Sequence, residues 1–262
     1  MDLQADRLNN PVERPGYLEF CGAHLYSVLH GASDPFARVL LAGPFASERY
    51  FSYVPRVRWA RFLAARGIEV LRFDYRGVGE STGGFDRMSF TDWSEDVDFL
   101  AGWLKNRSPH LPLVLHGHEL GAILASKTFA SGLGDALLLW SAPANANDVL
   151  RRPLSRHAFK NMYARKSASD YIRDLEADGV LEVEGYEWSH RLWRESFTFQ
   201  MPDDTEAGGR PVKVVNLEGT PASLLKGSAM GYVVSHNLDL SGLYTDNLEW
   251  MMAALPALQE RQ

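Results

Sequence analysis

The segment 113–127, LVLHGHELGAILASK, constrains the fold more than any other part of the chain. A short apolar run meets a helix rich in small residues through a turn of pattern Gly-x-Glu-x-Gly, with Glu119 at its centre. Two glycines at this spacing allow a tight strand-to-helix turn whose central side chain projects over the carboxyl edge of a sheet. The segment therefore predicts a buried strand that delivers a glutamate to that edge.

Apolar runs alternate with helical patterns along the rest of the chain, which is typical of a mostly parallel sheet covered by helices on both faces. The pattern predicts an opening hairpin at 17–29, strands at 37–42, 69–74, 113–116, 136–140, 212–217 and near 231–235, and helices at 54–66, 90–105, 120–130 and 243–255. The alternation of strand and helix patterns is lost at 147–205, where a basic helix (151–166, RRPLSRHAFKNMYARK) precedes an acidic stretch. We expect one domain, 1–262, that contains a small cap insertion at 147–205.

Charge and composition narrow the classes of partner. The net charge is −6 and the basic residues are scattered, which argues against nucleic acid or an anionic membrane surface. The lone Cys21 cannot form an internal disulfide, the N-terminus lacks the apolar core of a signal peptide, and no run approaches the ~18 apolar residues of a membrane span. We therefore expect a cytoplasmic protein that binds a small molecule or another protein. With no metal-ligand cluster, phosphate loop or dinucleotide motif, we predict no metal and no cofactor.

Two further motifs follow predicted strands. DYRGVGES (74–81) has the pattern D-x-R-G-x-G-x-S, and AGPFASE (42–48) is a Gly-Pro loop. With the Gly-x-Glu-x-Gly turn, they make 37–143 resemble the α/β-hydrolase superfamily, in which that turn is the nucleophile elbow and usually carries serine. The resemblance implies an α/β-hydrolase fold. In DYRGVGES we expect the glycines to shape the turn and Asp74 and Arg76 to hold it.

A closer likeness is to hydrolase-like proteins associated with bacterial exosortase and exopolysaccharide clusters. It rests on the phrases GPFASER, LLLWSAP and EVEGYEWS. Members of that group are called hydrolases by fold, and some of their elbows also look degenerate. The likeness therefore implies a biological setting and no particular activity.

The resemblance also implies positions for the remaining site residues. The oxyanion-hole amides would be those of Phe45 and Leu120, because Pro44 has no N–H to donate. His236 stands where the superfamily places its histidine, and Glu218 stands where it often places the acid, with Asp239 and Asp148 as alternatives. Residues expected beside the pocket are His118, Ser47 and Ser141.

A glutamate at the elbow leaves several interpretations open. Glu119 could be a nucleophile whose ester is hydrolysed by water activated by His236, or a general acid or base. In a third interpretation, which the sequence favours, the carboxylate accepts the Phe45 and Leu120 amides at the start of the helix and the protein is a pseudo-enzyme. Ser47 or Ser141 could also serve as an unrecognised nucleophile.

The predicted cap carries two features of its own. Its aromatic residues are expected to pack it onto the main domain rather than line a lid: Trp188, Trp193, Phe197 and Phe199. Its basic helix could guide an anionic ligand, although a charged run is more often a solvated face. A protein partner could also dock on the cap.

Overall fold

The computed structural model describes residues 12–203, 208–218 and 238–255. Within these residues, seven strands form one sheet: β1 (Val12–Phe20), β2 (Ala23–Gly31), β3 (Ala37–Ala42), β4 (Ile68–Phe73), β5 (Leu113–His118), β6 (Ala136–Trp140) and β9 (Val212–Val215). Their spatial order is β1-β2-β4-β3-β5-β6-β9. β1 and β2 pair antiparallel, as does β2 with β4, and every other pairing is parallel. The predicted mostly parallel central sheet is confirmed.

Helices cover both faces of this sheet. On one face, α2 (Phe90–Arg107) and α3 (Leu120–Ala130) contribute Trp93, Leu100 and Ile123 to a large apolar core. On the other, α1 (Arg49–Ala64) and α7 (Ser241–Ala254) pack Trp59 and Tyr244 against the sheet. Parallel strands that are buried on both faces have continuous apolar sequences, and this explains why the sequence predicted these strands.

Residues 146–196, between β6 and β9, form a compact segment outside the sheet, which we call the insertion. It contains α4 (Ala146–Lys160), α5 (Ala168–Asp178), the hairpin β7 (Val180–Val183) and β8 (Tyr186–Ser189), and α6 (His190–Ser196). A carboxylate of the insertion also caps a helix of the main domain, because Glu195 accepts hydrogen bonds from the backbone N–H groups of Phe90 (2.7 Å) and Thr91 (3.3 Å) and from the Thr91 hydroxyl. The insertion is thus attached to the start of α2.

Several element boundaries differ from the prediction for identifiable reasons. α1 begins at Arg49 rather than at 54, since a three-residue 3-10 turn (Ala46–Glu48) leads into it and Pro55 lies inside the helix instead of opening it. The basic helix α4 covers 146–160 rather than 151–166, because Asn145 caps its N-terminus by accepting the Asp148 N–H. The strand predicted near 231–235 lies outside the described residues. Within the described ranges, no helix has the length and apolarity needed to cross a membrane.

Candidate functional site

Glu119 occupies a strained turn between β5 and α3. Its backbone angles are φ 56° and ψ −121°, a region that a residue with a side chain rarely adopts. Both flanking glycines are required, since a Cβ on Gly117 would overlap the backbone of Ala122 and a Cβ on Gly121 would overlap that of Ala42. The turn therefore has the geometry of a nucleophile elbow, with glutamate as the projecting residue.

The Glu119 carboxylate is held by an arginine of the insertion. Both carboxylate oxygens accept from the Arg152 guanidinium, one from Nη2 and the other from Nη1 at 3.4 Å. The Glu119 side chain is 1% exposed, whereas that of Arg152 is 35% exposed. Burial works against the charge of Arg152, but its hydrogen bond and attraction to Glu119 outweigh burial and raise the arginine's pKa.

This arrangement corrects the expected partners of the elbow carboxylate. The carboxylate was predicted to accept the amides of Phe45 and Leu120, but in the structure it makes no capping hydrogen bond to the start of α3 and pairs with Arg152 instead. A guanidinium offers the carboxylate a full positive charge and two parallel donors, whereas a backbone amide offers one donor without net charge. The assignment of the two amides to an oxyanion hole stays a prediction.

A second ion pair lies beside the first. Arg156, one helical turn after Arg152 on α4, donates to Glu48 at 2.7 Å and to Glu184 at 2.9 Å. Glu48 directly follows the Gly-Pro loop and is fully buried, and Glu184 forms the tip of the β7–β8 hairpin and also pairs with Lys160. Two arginines at i and i+4 thus bind two buried carboxylates of the main domain, one at the elbow and one beside the loop.

The carboxyls of this cluster have opposite pKa shifts. Burial raises the pKa of Glu48 to about 6, against the lowering effect of Arg156, and the charge of Glu119 adds to the rise. Burial would also raise the pKa of Glu184, but hydrogen bonds from Arg156, Ser47 and Lys160 lower it to about 2. Glu184 therefore stays ionised at neutral pH and pairs with Arg156, whereas the carboxyl of Glu48 changes its protonation state near pH 6.

The remaining residues predicted near the pocket occupy two different environments. Phe45 is buried, and its ring packs edge-on against Trp188 of the insertion at 5.4 Å. Ser47 is buried within 3.5 Å of Arg156. Ser141, also buried, has φ 50° at the end of β6. The His118 ring packs edge-on to Trp140, which belongs to the core on the α1 and α7 face.

The structure describes the predicted acids but not the predicted histidine. Glu218 is exposed in the turn that follows β9, where its own N–H donates to Asn216. The alternatives have capping roles, since Asp239 accepts the Ser241 N–H ahead of α7 and Asp148 bonds to Asn145 at the start of α4. His236 lies outside the described residues, so a catalytic triad stays a prediction. In the described ranges, no group of three or more His, Cys, Asp or Glu side chains could hold a metal ion.

DYRGVGES has the structural role expected of it. Arg76 donates to the buried Asp96 at 2.5 Å, and Asp74 accepts from Arg49 at 2.6 Å. A Cβ on Gly79 would overlap the Asp74 carboxylate, so glycine is needed there. The turn is fixed by ion pairs, and none of its side chains contacts the Glu119–Arg152 pair or the Glu48–Arg156 pair.

Three of the four aromatic residues singled out in the predicted cap pack into the core, as expected. Trp188, Trp193 and Phe199 are buried together with Trp93 of α2, while Phe197 is half-exposed. Sequence reasoning missed Arg152, Arg156 and Glu48 as site residues. The spacing of the two arginines was visible in the basic helix, but no local pattern indicated which carboxylates they meet.

Comparison with known proteins agrees with this geometry. A family model described as serine aminopeptidase, S33 matches residues 52–177, which include the DYRGVGES turn, the elbow and the first helix of the insertion. The chain has the α/β-hydrolase fold. Lysophosphatidylserine lipase ABHD12 of Danio rerio is 33% identical over 122 residues, which are 45% of this chain and 30% of the relative. Monoacylglycerol lipase of Mycolicibacterium smegmatis is 30% identical over 163 residues, 60% of this chain and 55% of the relative.

The match therefore spans 30% of the length of the first of these curated relatives and 55% of the second. Among solved structures, ferulic acid-bound Est1E of Butyrivibrio proteoclasticus has a TM-score of 0.59 at 14% identity, covering 91% of this chain and 98% of the other. A monoglyceride lipase of Saccharomyces cerevisiae, in complex with a substrate analog, has a TM-score of 0.56 at 13% identity, covering 92% and 95%. These structural likenesses confirm the α/β-hydrolase fold.

Proposed function

We propose that this α/β-hydrolase is a pseudo-hydrolase, which performs no serine-type acyl transfer and binds a small molecule or a partner at its elbow. The observation that carries the proposal is the bidentate pair between Glu119 and Arg152. In an active elbow the central side chain must be free to attack, and nearby donors must wait for a developing oxyanion. Here the central side chain is a carboxylate that is already bonded to the Arg152 guanidinium.

The chemistry of the pair also disfavours a carboxylate mechanism. A nucleophilic carboxylate must place one oxygen about 3–3.5 Å from an electrophile with its lone pair aligned. Both oxygens of Glu119 instead accept hydrogen bonds from Arg152, and the side chain is 1% exposed. Attack or proton abstraction would first require α4 to release the carboxylate.

The alternative function is an active hydrolase in which Glu119 acts as nucleophile or as general acid or base with His236. The strained elbow, with φ 56° at Glu119, supports this alternative, because such strain is typical of reactive positions. The two curated relatives are lipases, so lipid esters are the first substrates or ligands to test. The likeness to exopolysaccharide-associated proteins adds saccharide ligands as the second class.

Esterase and labelling assays on matched variants test the proposal. The native protein, Glu119→Ser and Glu119→Gln are compared for hydrolysis of a short-chain p-nitrophenyl ester and of a monoacylglycerol, and for labelling by a fluorophosphonate. We expect the native protein and Glu119→Gln to be inert. Labelling gained by Glu119→Ser would mean that the rest of a triad is intact and that the glutamate alone disables it.

Three control variants make the result interpretable. Glu249→Gln changes the same charge on the exposed face of α7 and should behave like the native protein. Ser47→Ala and Ser141→Ala remove the other two candidate nucleophiles. Native turnover that disappears in Glu119→Gln but survives in the three controls would establish the carboxylate as a chemical group and refute the pseudo-enzyme. Turnover lost only with Ser47→Ala or Ser141→Ala would identify a different nucleophile.

A further inference from the structure

An apolar groove lies over β6 and β9, on the face of the sheet that α3 covers. Two in-register pairs of side chains on these parallel strands form its floor, Leu137 beside Val212 and Leu139 beside Val214. The two leucines are buried, whereas Val212 is 37% exposed and Val214 is 60% exposed. The floor of the groove is therefore open to solvent on its β9 side.

One wall of the groove is a face of α3. Ser126, Phe129 and Ala130 stand three and four residues apart, so all three side chains point to the same side of the helix. The ring of Phe129 is fixed from behind, because the Arg210 guanidinium lies 3.7 Å from its centroid and also donates to the Phe129 carbonyl. This wall is therefore already formed before any ligand arrives.

The opposite wall is the segment 201–203, which follows the insertion. Its position is fixed as well, because the Met201 N–H donates to the Ala144 carbonyl at 3.0 Å. The space between the two walls is about 180 Å³. A cavity of about 150 Å³ with apolar walls is enough to hold benzene, so the groove has room for one substituted ring.

Ser126 places a hydroxyl in this apolar groove. The residue is 6% exposed, and its Oγ has no hydrogen-bond partner in the described part of the chain. A serine inside a helix can satisfy its hydroxyl on a backbone carbonyl one turn earlier, but Ser126 makes no such bond there. A buried hydroxyl without a partner costs free energy, which a ligand oxygen within reach would recover.

The interior of the groove offers nothing to hold an ion. Among the described residues that line it, only Asp203 is charged, and that side chain is exposed at the rim. An ion that entered the groove would lose hydration without gaining a buried counter-charge. The ligand that fits is therefore neutral and mostly apolar.

We propose that this groove binds a small neutral molecule, an apolar ring that carries one hydrogen-bonding oxygen. The strand floor and Phe129 supply the apolar contacts, and the Ser126 hydroxyl bonds to the oxygen. Neither Glu119 nor Arg152 lines the groove, so the proposal does not depend on the function of the elbow.

Phenol and toluene separate recognition of the oxygen from simple apolar binding, because they share a shape and differ in one hydroxyl. Titration of each into the ¹⁵N-labelled native protein gives its Kd, and the amides of α3 and β9 whose signals shift locate the site. We expect phenol to bind about fivefold more tightly than toluene, although toluene is the more apolar of the two.

The variant Ser126→Ala should remove this preference. It should bind phenol about fivefold more weakly, and toluene no more weakly, than the native protein does. Its Tm should be unchanged or higher, since alanine leaves no hydroxyl unsatisfied and favours the helix. Ser155→Ala, at an exposed position of α4, is the matched control and should leave both affinities unchanged. Ala130→Leu narrows the groove and should weaken both ligands.

Four outcomes would overturn the proposal. They are the absence of saturable phenol binding by the native protein, signal shifts confined to amides outside the groove, toluene binding as tightly as phenol, and an unchanged preference for phenol in Ser126→Ala.

Discussion

Arg152 of the insertion and Glu119 of the elbow form a bidentate ion pair in which the carboxylate is buried and the guanidinium is one-third exposed. A buried ion pair adds little net stability compared with apolar packing, because desolvation offsets most of the attraction. Removing one partner is costly, however, since the other charge is then left buried and unpaired. The pair therefore favours one arrangement of α4 over the elbow more than it adds to overall stability.

Substitutions of the two partners should destabilise the protein by different amounts. We expect Arg152→Gln to lower the free energy of unfolding by about 2 kcal/mol, because it strands the buried Glu119 charge, and Glu119→Gln to cost less, since Arg152 still reaches water. A double-mutant cycle in urea should give a coupling energy of about 1–2 kcal/mol. Arg14→Gln, at an exposed position of β1, is the matched control. Additive effects of the two substitutions would contradict the pair.

Glu48 should make the protein's stability depend on pH near neutrality. Burial raises its pKa from 4.5 to about 6, so the folded protein binds this proton more tightly than the unfolded chain does. The contribution is fully present below pH 4.5 and is lost as the pH rises through about 6. Relative to Glu48→Gln, the native protein should lose about 2 kcal/mol of unfolding free energy across that window.

Comparing the native protein with Glu48→Gln isolates the contribution of Glu48, because other titrating groups are present in both proteins. Burial also raises the pKa of Asp96 to about 6, but that group is present in both proteins. Glu184 acts in the opposite direction, because its lowered pKa of about 2 gives stability that is lost as the pH falls below 4.5. Parallel stability curves for the native protein and Glu48→Gln in urea titrations would refute the assignment.

The elbow glycines should not tolerate a methyl group. Gly117→Ala places a Cβ inside the backbone of Ala122, so we expect a loss of about 2 kcal/mol or more in unfolding free energy. Gly102→Ala is the control, since Gly102 lies inside α2 with open space around its Cβ position. There alanine should stabilise the protein by about 0.5–1 kcal/mol. Equal effects at the two glycines in urea unfolding would contradict the packing described for the elbow.

Trp188 should be a principal contact between the insertion and the loop that follows β3. The side chain is 1% exposed and meets Phe45, so Trp188→Ala should cost about 3–5 kcal/mol in urea unfolding. Trp188→Phe should cost much less, because among the described residues the buried indole N–H has no hydrogen-bond partner, and its removal offsets part of the lost volume. Tyr163→Ala, at a side chain that is 94% exposed, should change stability by less than about 0.5 kcal/mol.

Local patterns predicted the elements that position the site. The bounds of β3, α3 and β6 agree with the sequence to the residue, because apolar runs and glycine turns mark them. The partner of Glu119 was not predictable in this way, since Arg152 lies 33 residues away in a segment without motif or period. The start of α1 was predicted too late, because the helix begins at Arg49 and continues through Pro55.

The hydrogen bonds from the start of α2 to Glu195 make the insertion and the main domain interdependent parts. A helix that borrows its N-terminal acceptor from another segment exposes unsatisfied N–H groups when that segment is removed. Deletion of the insertion would therefore leave the Phe90 and Thr91 N–H groups without their acceptor and uncover the elbow, although the capping box of Ser89 and Asp92 would remain at the start of α2. For the same reason, an insertion grafted from a related hydrolase should function here only if it brings an acidic side chain to the position of Glu195.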